Sequence, residues 1–227
     1  MPRYKITKSL IESWYYVHDC WEGCEEDAYN SFLHALRCEP DELTDEQKKN
    51  IQSGHTFERL VEAIATGEET FGMIPADPKN PREGLVPLNI KDHRWYRAAN
   101  EIAQLVKGSQ FQIRITKPIT VNGIDFEIHG VLDALREGTI FDFKFRNKSF
   151  GSLDLAGSYL GSAQHPFYFY LVPEARDFLY LVSDGTDIYI ERYTPEDSRS
   201  AEDVIIEFVS FLTSSGLMDE YRKHWQI

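Results

Sequence analysis

The stretch from Phe111 to Arg146 constrains the fold of this chain more than any other. Apolar and polar residues alternate along it, and two dipeptides, Asn122-Gly123 and Glu137-Gly138, interrupt the alternation. Asn-Gly tolerates positive φ at both central positions of a type I′ turn, and Glu-Gly is a weaker form of the same signal. The pattern predicts three antiparallel strands near 111–121, 124–135 and 139–145. Side chains on a strand alternate between its faces. Val131, Asp133 and Leu135 then share one face of the second strand; on the third, Ile140, Asp142 and Lys144 oppose Phe141, Phe143 and Phe145. The phenylalanine face is core, so Asp142 and Lys144 stand side by side on a strand paired with the one that carries Asp133.

Two carboxylates brought together resist ionising unless a cation sits between them. A hard divalent cation with oxygen ligands, Mg²⁺ or Mn²⁺, meets that need. A lysine one strand-step away can hold or deprotonate a water, and its charge offsets negative charge developing on a phosphate. Asp-x-Lys by itself also fits an ion pair on an edge strand, with Asp133 capping a turn.

Further residues narrow the choice. Gly130-Val131-Leu132-Asp133, with Asp142-Phe143-Lys144 nine residues on, resembles motifs II and III of the PD-(D/E)XK nuclease superfamily. Gly54-His55-Thr56-Phe57-Glu58 resembles the helix start that supplies its motif I, and Gln164-His165-Pro166-Phe167-Tyr168 the Q-x-x-x-Y signature of its RecB-type and lambda-type exonuclease branch. The four pieces follow the family order over about half the chain. The resemblance implies an α/β (α+β mixed) fold with a restriction-endonuclease-like core: a central mixed sheet with an antiparallel meander, flanked by helices. It implies a metal-dependent deoxyribonuclease, an exonuclease acting on DNA ends in phage or mobile-element recombination or repair. In that reading Glu58, Asp133, Asp142 and the main-chain carbonyl of Phe143 hold Mg²⁺ or Mn²⁺, and Lys144 orients and helps deprotonate the attacking water. Gln164 and Tyr168 contact the substrate strand, with His55 and Arg146 assisting. The partner is DNA with a free end, with room for a homo-oligomer and for a single-strand annealing or recombination protein, and with no membrane. The C-terminal cysteine triplet of the iron–sulfur members is absent, so no iron–sulfur cluster is expected. Two rivals remain: a catalytically silent binding or regulatory module of the same fold, and a sequence-specific endonuclease, which would need base-reading loops.

A chain of 227 residues with 42% hydrophobic content suits one domain, here a helical region over 1–50 packed on a core over 51–227. No apolar run reaches the length of a membrane span. Met1-Pro2-Arg3-Tyr4-Lys5 lacks the apolar core of a signal peptide, so a cytoplasmic protein without disulfides is expected. The net charge of −13 runs against backbone binding, which comes from lysine and arginine. Arg114, Lys117, Arg136, Lys144, Arg146 and Lys148 nevertheless gather around the proposed site, while acid is concentrated at 19–46 and 174–220. The expectation is an acidic exterior around a basic cleft.

Along the remainder, helical spacing predicts helices over 7–19 and 25–37, and Thr44-Asp45-Glu46-Gln47 opens another with a capping box. That helix leads into 54–65, where Phe57, Leu60, Val61 and Ile64 form an apolar stripe with His55, Glu58 and Glu62 beside it. The proline-rich residues 72–90 read as a loop, and 92–107 as a helix. Residues 153–171 read as a helix placing Gln164 and Tyr168 on one face, broken near 161–166 by Pro166. Strands follow at 177–183 and 187–193, then a helix over 199–225. Cys20 with Cys24 and His34 with Cys38 have i, i+4 spacing that could hold zinc. With no C-x-x-C knuckle, buried free cysteines are expected instead.

Overall fold

The computed structural model of the protein describes residues 2–40, 42–76, 84–151 and 155–227. Strands β4 (Gln110–Val121), β5 (Ile124–Arg136) and β6 (Thr139–Phe145) are the expected meander. Both turns have the backbone their residues favour, with φ of 52° and 75° at Asn122 and Gly123 and 49° and 81° at Glu137 and Gly138. The meander belongs to a six-stranded mixed sheet with β1 (Arg3–Thr7), β7 (Asp177–Ser183) and β8 (Ile188–Tyr193). β1 runs parallel to β5 and β6 parallel to β7, whereas β8 returns antiparallel to β7.

Alternation along β6 and β7 sorts the core into two layers. Ile140, Tyr180 and Val182 pack with apolar residues of α1 (Lys8–Asp19), α2 (Glu25–Leu36), α5 (Gln164–Leu171), α6 (Ala201–Ser214) and α7 (Met218–Trp225). Phe141, Phe143 and Leu181 face the other way, onto α3 (Asp45–Thr66) and α4 (Tyr96–Val106). The fold is therefore α+β, a mixed sheet flanked by helices. α3 opens with the Thr44–Gln47 capping box, both of its reciprocal bonds present, and stops at Gly67, whose φ of 86° suits glycine. Among the described residues no helix is long and apolar enough to cross a membrane.

Several expectations need correction. The first fifty residues are not only helical, because β1 joins the main sheet beside β5. Residues 72–90 are not a plain loop: β2 (Thr70–Pro75) and β3 (Leu85–Asn89) form an antiparallel pair, with 77–83 outside the described residues. Met73, Ile74, Leu85 and Val86 are all exposed there, so neither strand has the buried alternate face that makes a strand readable. The final helix is two helices, parted at Ser215-Gly216. Cys20 and Cys24 cap the ends of α1 and α2 rather than sharing a helix face, and Cys38 lies beyond α2 at φ 54°. Cys20 and Cys24 are half-buried and Cys38 exposed, so they are free but not buried cysteines.

The turn between β7 and β8 ties the sheet to α4. Gly185 there has φ 91°, and a Cβ would run into the indole of Trp95. Gly216 has φ 72° with open space around it. Gly216→Ala should then lose only the left-handed backbone term, about 1 kcal/mol, whereas Gly185→Ala adds overpacking for a total of about 3 kcal/mol. Urea unfolding of the two variants checks this; equal losses would show that Trp95 yields freely.

Candidate active site

β4 covers one edge of β5 along its whole length, from Gln110 opposite Leu135 to Val121 opposite Ile124. The other edge is divided: β1 pairs with Asp125–His129, and β6 with Ala134–Arg136. Between them, no described strand pairs with residues 130–133 on that edge. β6 parts from β5 after Phe141 and continues its ladder with β7, Arg146 N–H donating to the Ser183 carbonyl at 2.8 Å. Even-numbered residues of β6 therefore turn their N–H toward β7, and odd-numbered ones toward the gap. Phe143 N–H finds Oδ2 of Asp133 there, at 2.8 Å. Since N–H and C=O of one strand residue point the same way, the Phe143 carbonyl faces the gap as well.

The next residues along β6 complete the floor. Asp142 is buried, and Lys144 Nζ lies 2.5 Å from its Oδ2. Gln164, the first residue of α5, bridges the two: its Oε1 accepts from Lys144 at 3.1 Å and its Nε2 donates to Asp142 Oδ1. An ammonium only donates and a carboxylate only accepts, so the pair fixes which way the amide points. One turn on, Tyr168 OH donates to the Val131 carbonyl at 2.7 Å, satisfying a main-chain group in the gap. Pro166 interrupts nothing, because the helix starts two residues before it. Glu58 enters from α3 and accepts from the amide of Gln112, which lies across from Asp133 with φ 52°.

These groups open on a cleft of about 590 Å³ that Lys5, Lys8, Arg114 and His129 also line. Burial, then the neighbouring Asp142 and Glu58, hold the Asp133 carboxyl well above the usual carboxylate range, although Phe143 N–H works against them. Burial also raises Glu58, with the Gln112 hydrogen bond opposing. Burial alone would pull Lys144 down, but Asp142 more than offsets it and the ammonium stays charged. Three carboxylates and a main-chain carbonyl are hard oxygen donors, the set that suits Mg²⁺ or Mn²⁺. The acids share the cleft without being drawn together. Among the described residues no three Asp, Glu, His or Cys side chains form a metal-holding group.

The expected site residues divide in two. Glu58, Asp133, Asp142, Phe143, Lys144, Gln164 and Tyr168 all line the cleft. Gln164 and Tyr168 spend their hydrogen bonds on protein groups, which makes them positioning residues in this structure rather than free strand contacts. His55 is exposed on α3, one turn before Glu58 and outside the cleft lining. Arg146 borders a separate hollow with Asn50 and Asn147. Lys5, Lys8 and Gln112 were not legible as site residues. The alternation of buried Tyr4 and Ile6 around Lys5 was the available signal for the first of them.

His165 illustrates how α5 is locked. It is buried and stacked on Tyr193 at 4.4 Å, and its Nδ1 lies 3.2 Å from Tyr180 OH. Burial lowers its pKa to about 4, with only Glu191 opposing. The unfolded chain takes a proton near pH 6.5 and the folded chain does not until about pH 4. This contribution to stability is thus intact above pH 6.5 and is lost as pH falls toward 4, by up to about 3 kcal/mol. Denaturant titrations across that range should show the slope, and His165→Asn should remove it; a slope unchanged in the variant would assign it to other groups.

No family model matches the chain, and no curated protein does. Among solved structures, the crystal structure of SSO0001 is similar with a TM-score of 0.44 at 13% identity, over 93% of this chain and 75% of that one.

Proposed function

We propose that the protein is a Mg²⁺- or Mn²⁺-dependent deoxyribonuclease, an exonuclease acting on DNA ends in phage or mobile-element recombination or repair. The observation that carries this reading is the fork between β5 and β6, where Asp133 spans to Phe143 N–H while Asp142 and Lys144 stand on the strand just beyond it. The resemblance of these residues and of Glu58, Gln164 and Tyr168 to the PD-(D/E)XK motifs supports it independently. Glu58, Asp133, Asp142 and the Phe143 carbonyl would hold the cation, which supplies Lewis-acid polarisation of a phosphodiester and lowers the pKa of a water. Lys144 keeps its charge and presents Nζ to the cleft, where it can orient a nucleophilic water and offset charge on the phosphate. Gln164 holds Lys144 and Asp142 in fixed relation. Lys5 and Arg114 put local positive charge where a phosphate backbone would pass, despite the net −13 of the chain.

One observation favours a second reading, a silent binding module of the same fold. Lys144 and Gln164 already occupy both oxygens of Asp142, an internal cation in place of a bound one. Digestion of linear and closed circular DNA in Mg²⁺ or Mn²⁺, with calorimetric Mn²⁺ binding, separates the two. The nuclease degrades linear DNA, and Asp133→Asn and Asp142→Asn lose both Mn²⁺ binding and cleavage. Lys144→Ala keeps Mn²⁺ binding but turns over about 10²–10³-fold more slowly, as for loss of one charge-stabilising donor. Wild-type protein that binds DNA but cleaves none of it in either metal would establish the silent module instead.

A further inference from the structure

A second hollow, of about 400 Å³, adjoins the acidic cleft and shares Lys8, Lys144 and Gln164 with it as a common wall. Its other sides are different in kind. Tyr15 and Tyr16 of α1 and Tyr159 supply aromatic surface, and Glu12, Asp19 and Ser158 supply hydrogen-bonding oxygens. Tyr159 is backed by Tyr180, stacked at 4.2 Å, while Tyr16 is 45% exposed.

The charges in this hollow decide its ligand. Lys8 is paired with Glu12 at 2.9 Å, which Ser162 also engages at 2.8 Å, and Lys144 is paired with Asp142 at 2.5 Å. Both lysines of the wall thus carry a carboxylate partner, and the carboxylate of Asp19 adds negative charge on the side of the hollow away from the cleft. Inside the hollow a phosphate would face the carboxylates of Glu12 and Asp19 and gain little there. A nucleobase suits the site on every count: its faces stack on tyrosines, and its exocyclic amino groups donate to carboxylate and hydroxyl oxygens. We propose that the tyrosine-lined hollow receives one unstacked base of the substrate strand, while the phosphate of that nucleotide lies across the shared wall among Asp133, Asp142 and Lys144. This rests on the nuclease reading for the identity of the strand. It makes the substrate a single-stranded or frayed end, since a base inside a duplex cannot leave the stack without losing its pair.

The test is equilibrium binding in EDTA, where metal-dependent turnover stops. The probes are a short single strand carrying 2-aminopurine and the same strand with an abasic residue in its place. The expected result is quenching of the 2-aminopurine, with the abasic strand binding about 5- to 100-fold more weakly, the range that base–aromatic stacking supports. Tyr16→Ala, at a half-exposed position, should bring the two strands to nearly equal affinity. Equal binding of both strands by the wild type, or equal weakening of both by Tyr16→Ala, overturns the proposal. Cleavage of the 2-aminopurine strand in Mg²⁺ is scored separately. Base discrimination without cleavage upholds the hollow and removes the nuclease, cleavage without discrimination does the reverse, and absence of both binding in EDTA and cleavage in Mg²⁺ removes both.

Discussion

The arrangement depends on one hydrogen bond, from Phe143 N–H to Asp133 Oδ2 at 2.8 Å. Where β6 leaves β5, the ladder would otherwise abandon an N–H in the interior, at a cost of about 1–3 kcal/mol. The Asp133 carboxyl takes that N–H and also acts as a spacer, holding the strands apart where two main chains would close up. An apolar residue at 133 could fill the space but could not accept that N–H. The spacer role requires the acid to be half-buried near Asp142, and this is why its carboxyl resists ionising. Structural and chemical demands meet in one side chain.

The gap that Asp133 opens must be closed from outside, and α5 does so. Gly130 makes this approach feasible, since a Cβ there would stand 2.5 Å from Leu171 Cδ1 and 2.9 Å from Tyr168 Cε1. With no side chain in the way, Tyr168 packs close against β5 at Gly130 and satisfies the Val131 carbonyl, while Gln164 at the start of the same helix reaches Asp142 and Lys144. One helix thus seals the unpaired backbone and orients the charged pair. Moving it would disturb both.

What could be read from the sequence, and what could not, follows from how local each determinant is. Asn122-Gly123, Glu137-Gly138 and the Thr44–Gln47 capping box are local signals with one physical solution, and the structure has them. The phenylalanines of β6 were legible because a buried strand shows its period. β1 is five residues long and owes its place to β5, more than a hundred positions away, so its only local mark is the short alternation of Tyr4 and Ile6 around Lys5. β2 and β3 bury too little to carry a pattern. Along β5 the faces also depart from strict alternation: Leu132 and Leu135 pack in one layer and Ala134 in the other, a switch beside Gln112 and its left-handed backbone. The acids themselves were legible by spacing, but their engagement by Lys144, Gln164 and Gln112 depends on tertiary contacts that no spacing encodes.

The wall of the cleft carried by β1 has a consequence for the order of assembly. Its residues pair with 125–129 on one side, while Tyr221 OH and Ile227 N–H reach back to the carbonyls of Lys5 and Arg3 at 2.8 and 2.9 Å. Three segments distant along the chain must meet before Lys5, Lys8 and the α1 tyrosines have a fixed position. Closing such long loops is entropically costly and rewarded only when every partner has arrived. The meander of β4 to β6, with its short turns, can form on its own much earlier. During synthesis the acids of the fork would therefore be assembled while the wall opposite them is still missing, so that the cleft is completed last.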